Sequence, residues 1–273
     1  MTTLGFFPKG KFAEVSITGR KCELNCPMCG GRWLEGMMSA ENPEELLKLG
    51  RKLWRKGVRG LLISGGFTKE GKLPFIPFIW AIRELKKMGF LMSIHTGPLE
   101  RREAEVLSKT GIDLVDYDLI LEESPIRVAR GLAMTPDDFV EGMENLMRES
   151  IEVVPHITVG LPGSEGRIDL YAEVLREMRV RRAVLLGFIP TPGTGLSEEL
   201  PPSPEELRVA AEKLSRTSKL SLGCMRAPWL KRDYDINLLG LVDRVANPHP
   251  SLDLKRIMAC CSIPEELLQV FKD

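Results

Sequence analysis

Residues 13–29 read Ala13-Glu-Val-Ser-Ile-Thr18, then Gly-Arg-Lys, then Cys22-Glu-Leu-Asn-Cys26-Pro-Met-Cys29, with Gly30-Gly31 following. The first six residues form a mainly apolar, β-branched run of strand length, the pattern expected of a strand buried on both faces of a parallel sheet. The loop after it carries three thiols with three and then two residues between them. That i, i+4, i+7 spacing would also make one stripe of a helix, and free cysteine packs well as a small hydrophobe. Against a helix, Pro27 restricts Asn25-Cys26 to extended geometry and Gly30-Gly31 closes the segment, so the thiols sit on a turn that can curl around a ligand. A thioredoxin-type redox pair, Cys26-Pro-Met-Cys29, is an alternative that leaves Cys22 unexplained. Three soft thiolates on one short loop suit three irons of a cubane [4Fe–4S] cluster, leaving one iron open.

Outward from this stretch, apolar runs of strand length alternate with amphipathic runs of helix length. Strands are expected at 13–18, 60–64, 90–95, 114–119, 153–159, 183–188, 220–223 and 241–246. Helices are expected at 44–56, 77–88, 101–109, 136–150, 167–178 and 204–215, with Pro43, Pro136 and Pro204 as first-turn prolines. The alternation predicts an α/β fold, a TIM-like (β/α)8 or partial barrel of parallel strands, with its chemistry in the loops at the C-terminal ends of the strands. A single domain over 1–273 is expected, with 1–12 as an N-terminal extension and 250–273 as a segment whose Cys260-Cys261 closes the barrel mouth.

Composition bounds the function. The 273 residues are 43% hydrophobic and 28% charged, enough to fill a core and too apolar for disorder to dominate. Thirty-eight basic and 38 acidic side chains cancel, so no bulk cationic field gathers nucleic acid or anionic lipid. With no membrane-length apolar run and no secretory leader at the start, a cytoplasmic protein is expected. Glutamine occurs once and asparagine five times amid abundant Lys, Arg and Glu, the bias of a thermophile. Six cysteines in such a chain point to metal or redox chemistry more than to disulfides.

The loop Cys22-xxx-Cys26-xx-Cys29 resembles the signature of the radical S-adenosylmethionine (SAM) superfamily. The resemblance implies that SAM chelates the open iron and is split to methionine and a 5′-deoxyadenosyl radical, with a reduced ferredoxin or flavodoxin-type protein as electron donor. It also implies the SAM contacts. Ser64-Gly65-Gly66 resembles the family's Gly-Gly-Glu element, with Phe67 where Glu often stands; bare backbone there approaches the methionine moiety. Asp118 and Glu122 are placed to meet the ribose hydroxyls, unless they are helix-entry acids. The stretch Pro155 to Gly163, with Thr158 and Gly160, looks like the fifth-strand element near the adenine, where an inward His156 is more often a core group than a catalyst. Phe188-Ile189-Pro190 and the Pro-Gly-Thr194 turn resemble the loop flanking the adenine in biotin-synthase relatives.

Three further cysteines, Cys224, Cys260 and Cys261, follow the late strands. They are candidates for a second, auxiliary iron–sulfur cluster, with Ser262, His249, Arg226, substrate or a partner as the missing ligand; packing thiols or a disulfide are the alternative. Enzymes of the family that add sulfur to unactivated carbon pair the SAM cluster with a second one. The chain is accordingly most similar in style to a subunit of the archaeal-type two-component lipoyl synthases. The resemblance then implies sulfur insertion into an octanoyl chain on a carrier protein, alongside a second radical SAM subunit, with Arg226, Arg32 or Lys69 meeting an acidic carrier face. The alternatives are another radical SAM reaction (methylthiolation, C–C or C–N bond formation, or rearrangement of a small metabolite) and a non-catalytic iron–sulfur carrier or scaffold.

Overall fold

The computed structural model describes residues 2–271. In chain order its elements are β1 (Leu4–Phe6), β2 (Phe12–Ser16), β3 (Met38–Ser39), α1 (Pro43–Arg55), β4 (Gly60–Ser64), α2 (Ile79–Lys87), β5 (Leu91–Thr96), α3 (Arg101–Ser108), β6 (Leu114–Asp118), α4 (Glu123–Val128), α5 (Pro136–Arg148), β7 (Glu152–Val159), α6 (Ile168–Glu177), β8 (Arg182–Gly187), α7 (Pro204–Leu214), β9 (Lys219–Leu222), α8 (Lys231–Leu238), β10 (Arg244–Ala246) and β11 (Arg256–Ile257). The three first-turn prolines are in place. Asn42, Thr135 and Ser203 cap them by accepting N–H bonds from Glu45, Asp138 and Glu206, which satisfies donors that a helix start leaves orphaned.

All strand pairings are parallel, in the order β11-β1-β10-β9-β8-β7-β6-β5-β4-β2-β3. From β4 to β10, chain neighbours are sheet neighbours joined by helical crossovers, the βα repeat of a barrel wall. Only residues 7–11 join β1 to β2, and five residues reach at most about 18 Å. The two ends of the sheet are therefore held near one another, although among the described residues no ladder joins them. The sheet is curled and open, the partial-barrel form of the expected fold.

The expected strands hold to within one or two residues, except the last, which shortens to β10 because 239–242 form only an isolated bridge. The short elements β1, β3, β11, α4 and α8 carry too few residues for their periodicity to stand out. Residues 4–6, within the stretch expected as an extension, pair with both β10 and β11.

Outward side chains such as Val15, Ile63, Ile94, Val115 and Leu185 pack under Leu46, Ile82, Leu107 and Leu146 of the helices. Each buried aliphatic side chain contributes about 1.5–3 kcal/mol. A second core fills the inside of the curl, where Phe6, Phe12, Leu91, Leu114, Val154 and Val184 meet Ala259, Cys261, Ile263 and Phe271 of the tail. Phe271 lies against Phe12 with ring centroids 6.1 Å apart, and Phe12 is in register with Gly60, the first residue of β4. The tail from Ile263 to Phe271 thus packs under the N-terminal ends of the strands. Arg181–Glu266 (3.0 Å) and Lys219–Glu265 (2.7 Å) pin it there. With that end filled by apolar side chains, the polar residues at the other end of the inner face, Ser16, Ser64, His95, Asp118 and His156, open toward the loops after the strands. Among the described residues no helix is long and apolar enough to cross a membrane.

Candidate active site

The cysteine loop leaves β2 still in sheet register, with the Ile17 N–H donating to the Ser64 carbonyl at 2.8 Å. It then turns through Asn25 (φ 41°), left-handed and not extended as expected because Pro27 restrains only the residue directly before it, and through Gly30 (φ 54°) and Gly31 (φ 74°). This left-handed geometry is the reason for glycine at 30–31. The turn brings Cys26 Sγ and Cys29 Sγ to 3.8 Å, and Cys22 Sγ lies 3.9 Å from the Phe67 carbonyl. Three other loops brace it. The Leu24 N–H donates to Phe67 O (2.9 Å) after β4, and the Met28 N–H to Ala129 O (3.1 Å) after β6. After β8, Thr194 and Gly195 face Gly30 and Pro27.

Gly66 has a structural requirement of its own. A Cβ there would overlap the Lys21 carbonyl oxygen and Cys22 Cα, while its N–H receives support from Thr18 Oγ1 at 2.6 Å. The glycine lets the β4 loop and the cysteine loop stack backbone to backbone.

Beneath the cysteines lies a buried ionic chain of which sequence reading singled out Asp118, for the ribose, and missed Arg130 and His95. Arg130 Nη1 donates to Asp118 Oδ2 at 2.6 Å, Asp118 Oδ1 meets His95 Nε2 at 3.0 Å, and His95 Nδ1 lies 3.3 Å from Ser64 Oγ. Burial opposes the charge on Asp118, but His95 and Arg130 outweigh it and hold the carboxyl well below its usual range. Burial likewise opposes protonation of His95, yet the Asp118 charge and hydrogen bond, with Asp116, raise its pKa. The Arg130 guanidinium also acts on the thiols. Cys26 is lowered to about 6, first by its hydrogen bond with Cys29 and, against burial, by Arg130. Cys29 moves up through the same hydrogen bond, burial and the Cys26 charge. His95 was legible as an inward alternating residue of its strand; nothing in the local pattern marks Arg130, whose buried place is set by packing.

The remaining expected contacts are spread over the same face. Both Glu122 oxygens are engaged, by Ser164 Oγ and by the Glu165 N–H, each at 2.7 Å. Ser64 ends β4, Gly65 follows it beside Thr18, and Thr158 is half-buried near the end of β7. Gly160 (φ 74°) abuts Pro202; Phe188 is buried, and Ile189 and Pro190 are half-buried.

Of the late cysteines, Cys260 and Cys261 pack in the core inside the curl. Cys224 is exposed, yet its surroundings desolvate it and, with Cys260 and Glu14 near, push its thiol up to about 12. Cys260 is half-buried, 3.3 Å from Ser262 Oγ, and lowered chiefly by Cys261. Cys261 is buried and raised by Cys260 and by burial. Arg226 is not available to a carrier face or as a ligand: it is 2% exposed and bound to Asp235 and to the Gly223 and Ala246 carbonyls. His249 is half-buried, its Nδ1 2.8 Å from Ser251 Oγ. Among the described residues no three His, Cys, Asp or Glu side chains stand at distances that hold a single metal ion.

A curled parallel sheet with a three-thiol loop at the C-terminal end of β2 defines a barrel protein with an iron–sulfur-type mouth. The profile of the radical SAM superfamily matches residues 16–174, more than half of the 273-residue chain. The chain belongs to the radical SAM superfamily. No curated protein matches it. Among solved structures it is similar to methylornithine synthase (TM-score 0.63, 12% identity, 97% of this chain and 77% of that one). It is also similar to the [FeFe]-hydrogenase maturase HydG (0.64, 13%, 99% and 63%) and to Streptococcus suis SuiB bound to S-adenosylmethionine (0.59, 14%, 92% and 53%). At such identities the likeness is one of fold, and this chain is shorter than each. Membership implies a [4Fe–4S] cluster and SAM. The loop fits the cluster by its donor set, three soft thiols on one turn, and by the cation beside them: Arg130 Nε is buried without a partner, and its guanidinium acts on both Cys26 and Cys29.

Proposed function

We propose that this radical SAM enzyme inserts sulfur into an unactivated C–H bond, acting on an octanoyl chain held by a carrier protein, with Cys224, Cys260 and Cys261 holding a second iron–sulfur cluster. What supports this reading is that Cys260, 36 residues beyond Cys224 in sequence, comes near enough for its charge to act on the Cys224 thiol, in the same curl whose mouth carries Cys22, Cys26 and Cys29. Cys22, Cys26 and Cys29 would hold the SAM cluster, which when bound and reduced supplies one electron to split SAM into methionine and a 5′-deoxyadenosyl radical. The chain's own part is positioning and exclusion. The Ser64-Gly65-Gly66 turn presents backbone at the mouth, Asp118 fixes Arg130 beside the thiols, and the tail core keeps water from entering beneath. Leu186 with half-buried Leu62 and Met225 offers an apolar wall to an aliphatic chain. A ferredoxin or flavodoxin-type donor and a second radical SAM subunit are the partners this reading requires.

A second reading, rearrangement of a small polar metabolite, is favoured by the opposite wall, where Ser93, His95, Asp116 and His156 face the interior. Anaerobic reconstitution with dithionite and SAM should yield 5′-deoxyadenosine, and Cys26→Ala should abolish it; no product from a cluster-loaded chain would indicate a non-catalytic carrier. Mass spectrometry of an octanoylated carrier protein incubated with this chain and a second radical SAM subunit then decides the substrate. Gain of sulfur is expected; 5′-deoxyadenosine without a sulfur-bearing product would overturn the sulfur-insertion reading.

A further inference from the structure

Resting on the reading that the late cysteines hold a second cluster, we infer that His156 is the non-cysteine ligand of that centre. His156 Nδ1 lies 3.1 Å from the Val154 carbonyl. A carbonyl only accepts, so Nδ1 carries the proton and Nε2 presents a lone pair. Metal-binding histidines are commonly held this way, one ring nitrogen donating to a backbone carbonyl and the other free to ligate.

The free Nε2 looks at another acceptor. Asp116 Oδ1 is 3.9 Å away, on a side chain 5% exposed, and it has no hydrogen-bond partner. Two acceptors facing each other in a buried site leave an electrostatic deficit that a cation between or beside them would remove. Ser93 Oγ, on the neighbouring strand and also facing inward, is likewise buried without a partner. Cys260 and Cys261 lie on the same side of the curl, packed in one cluster with Leu114 and Val154, which stand two residues before Asp116 and His156 on the same face of their strands; the Asp116 charge also acts on Cys260. Nitrogen and thiolate together are a donor set suited to iron. The side chains named from the sequence are otherwise engaged: Arg226 by Asp235, half-buried His249 by Ser251, and buried Ser262 by the Cys260 thiol at 3.3 Å.

The test uses the full chain with Cys22, Cys26 and Cys29 all replaced by Ala, so that iron and SAM at the mouth do not contribute. After anaerobic loading with iron and sulfide, about four irons per chain are expected. In the reduced protein, pulsed paramagnetic resonance should detect a histidine nitrogen coupling, identified by isotope-labelled histidine. The coupling should disappear in His156→Gln and persist in His249→Gln, and Asp116→Asn should lower the iron retained. The labelled parent needs no change at position 156, so a folding defect in His156→Gln leaves the test intact. Iron bound without any histidine coupling overturns the inference while the second cluster stands. No iron in the triple variant overturns the second-cluster reading and the inference with it.

Discussion

Arg130 and Asp118 form a short ion pair, Nη1 to Oδ2 at 2.6 Å, on side chains 9% and 17% exposed, directly under the thiol loop. Asp118 ends a strand and Arg130 follows the next short helix, so the pair ties the β6 loop to the sheet at the point where Met28 hydrogen-bonds Ala129. Removing one partner of a largely buried pair leaves the other charge uncompensated, at a cost of about 3 kcal/mol. Arg130→Met should therefore lower Tm by several degrees, and Asp118→Asn by less, because His95 still neighbours the amide. Calorimetry of the two single variants and the double variant measures the coupling; additive losses would show that the pair contributes nothing.

The same chain makes stability depend on pH in two opposite directions. Asp118 titrates lower in the folded protein than in the unfolded chain, where a carboxyl sits at about 3.9. Its contribution is present above that value and is lost as pH falls toward the folded pKa. His95 is raised above its unfolded value of about 6.5. Its contribution is present below that value and is lost as pH rises through the folded one. Denaturant unfolding at about pH 5, 7 and 9 should show the gap between the parent and His95→Gln narrowing toward alkaline pH.

Gly65 and Gly66 should respond differently to alanine. At Gly66 a methyl group meets the backbone of Lys21 and Cys22, which cannot yield without moving the thiol loop. At Gly65 it meets Thr18 Oγ1 at 3.0 Å and Leu73 Cδ1 at 3.1 Å, side-chain atoms able to shift. Gly66→Ala should sharply reduce iron uptake by the mouth cysteines, whereas Gly65→Ala should retain most of it. Iron analysis after reconstitution distinguishes them, and equal uptake would mean that the two loops do not pack as described.

Arg244 anchors the tail. It donates to the carbonyls of Cys261 (3.0 Å) and Ile263, and its guanidinium lies 4.6 Å from the Phe6 ring centroid. Burial, with Arg182 nearby, lowers its pKa to about 10. Arg244→Ala should free the segment after Ala259, cost about 3 kcal/mol, and expose residues 264–271 to limited proteolysis. An unchanged digestion pattern would show that apolar packing alone retains the tail.

Much of this was legible locally. Strand-length runs, first-turn prolines with capping residues before them, and the thiol spacing each act through neighbours a few residues apart, so their physics is written in short windows. The Gly65-Gly66 pair was legible as bare backbone, but its role in stacking two loops was not, because the partner backbone lies more than 40 residues away. Glu122 was singled out for its charge, while its actual partners, Ser164 and Glu165, belong to the following βα loop.

By itself the sequence determined a parallel α/β framework and a three-thiol loop at its functional end, since backbone sterics, capping and side-chain periodicity operate within one element. Tertiary structure decided that the sheet stays open with β1 at its far side, that Arg130 lies buried under the cysteines, and that the tail packs Cys260 and Cys261 into the inner core. Those outcomes depend on which distant surfaces exclude water together and which buried charges find partners, and no short window of residues encodes either.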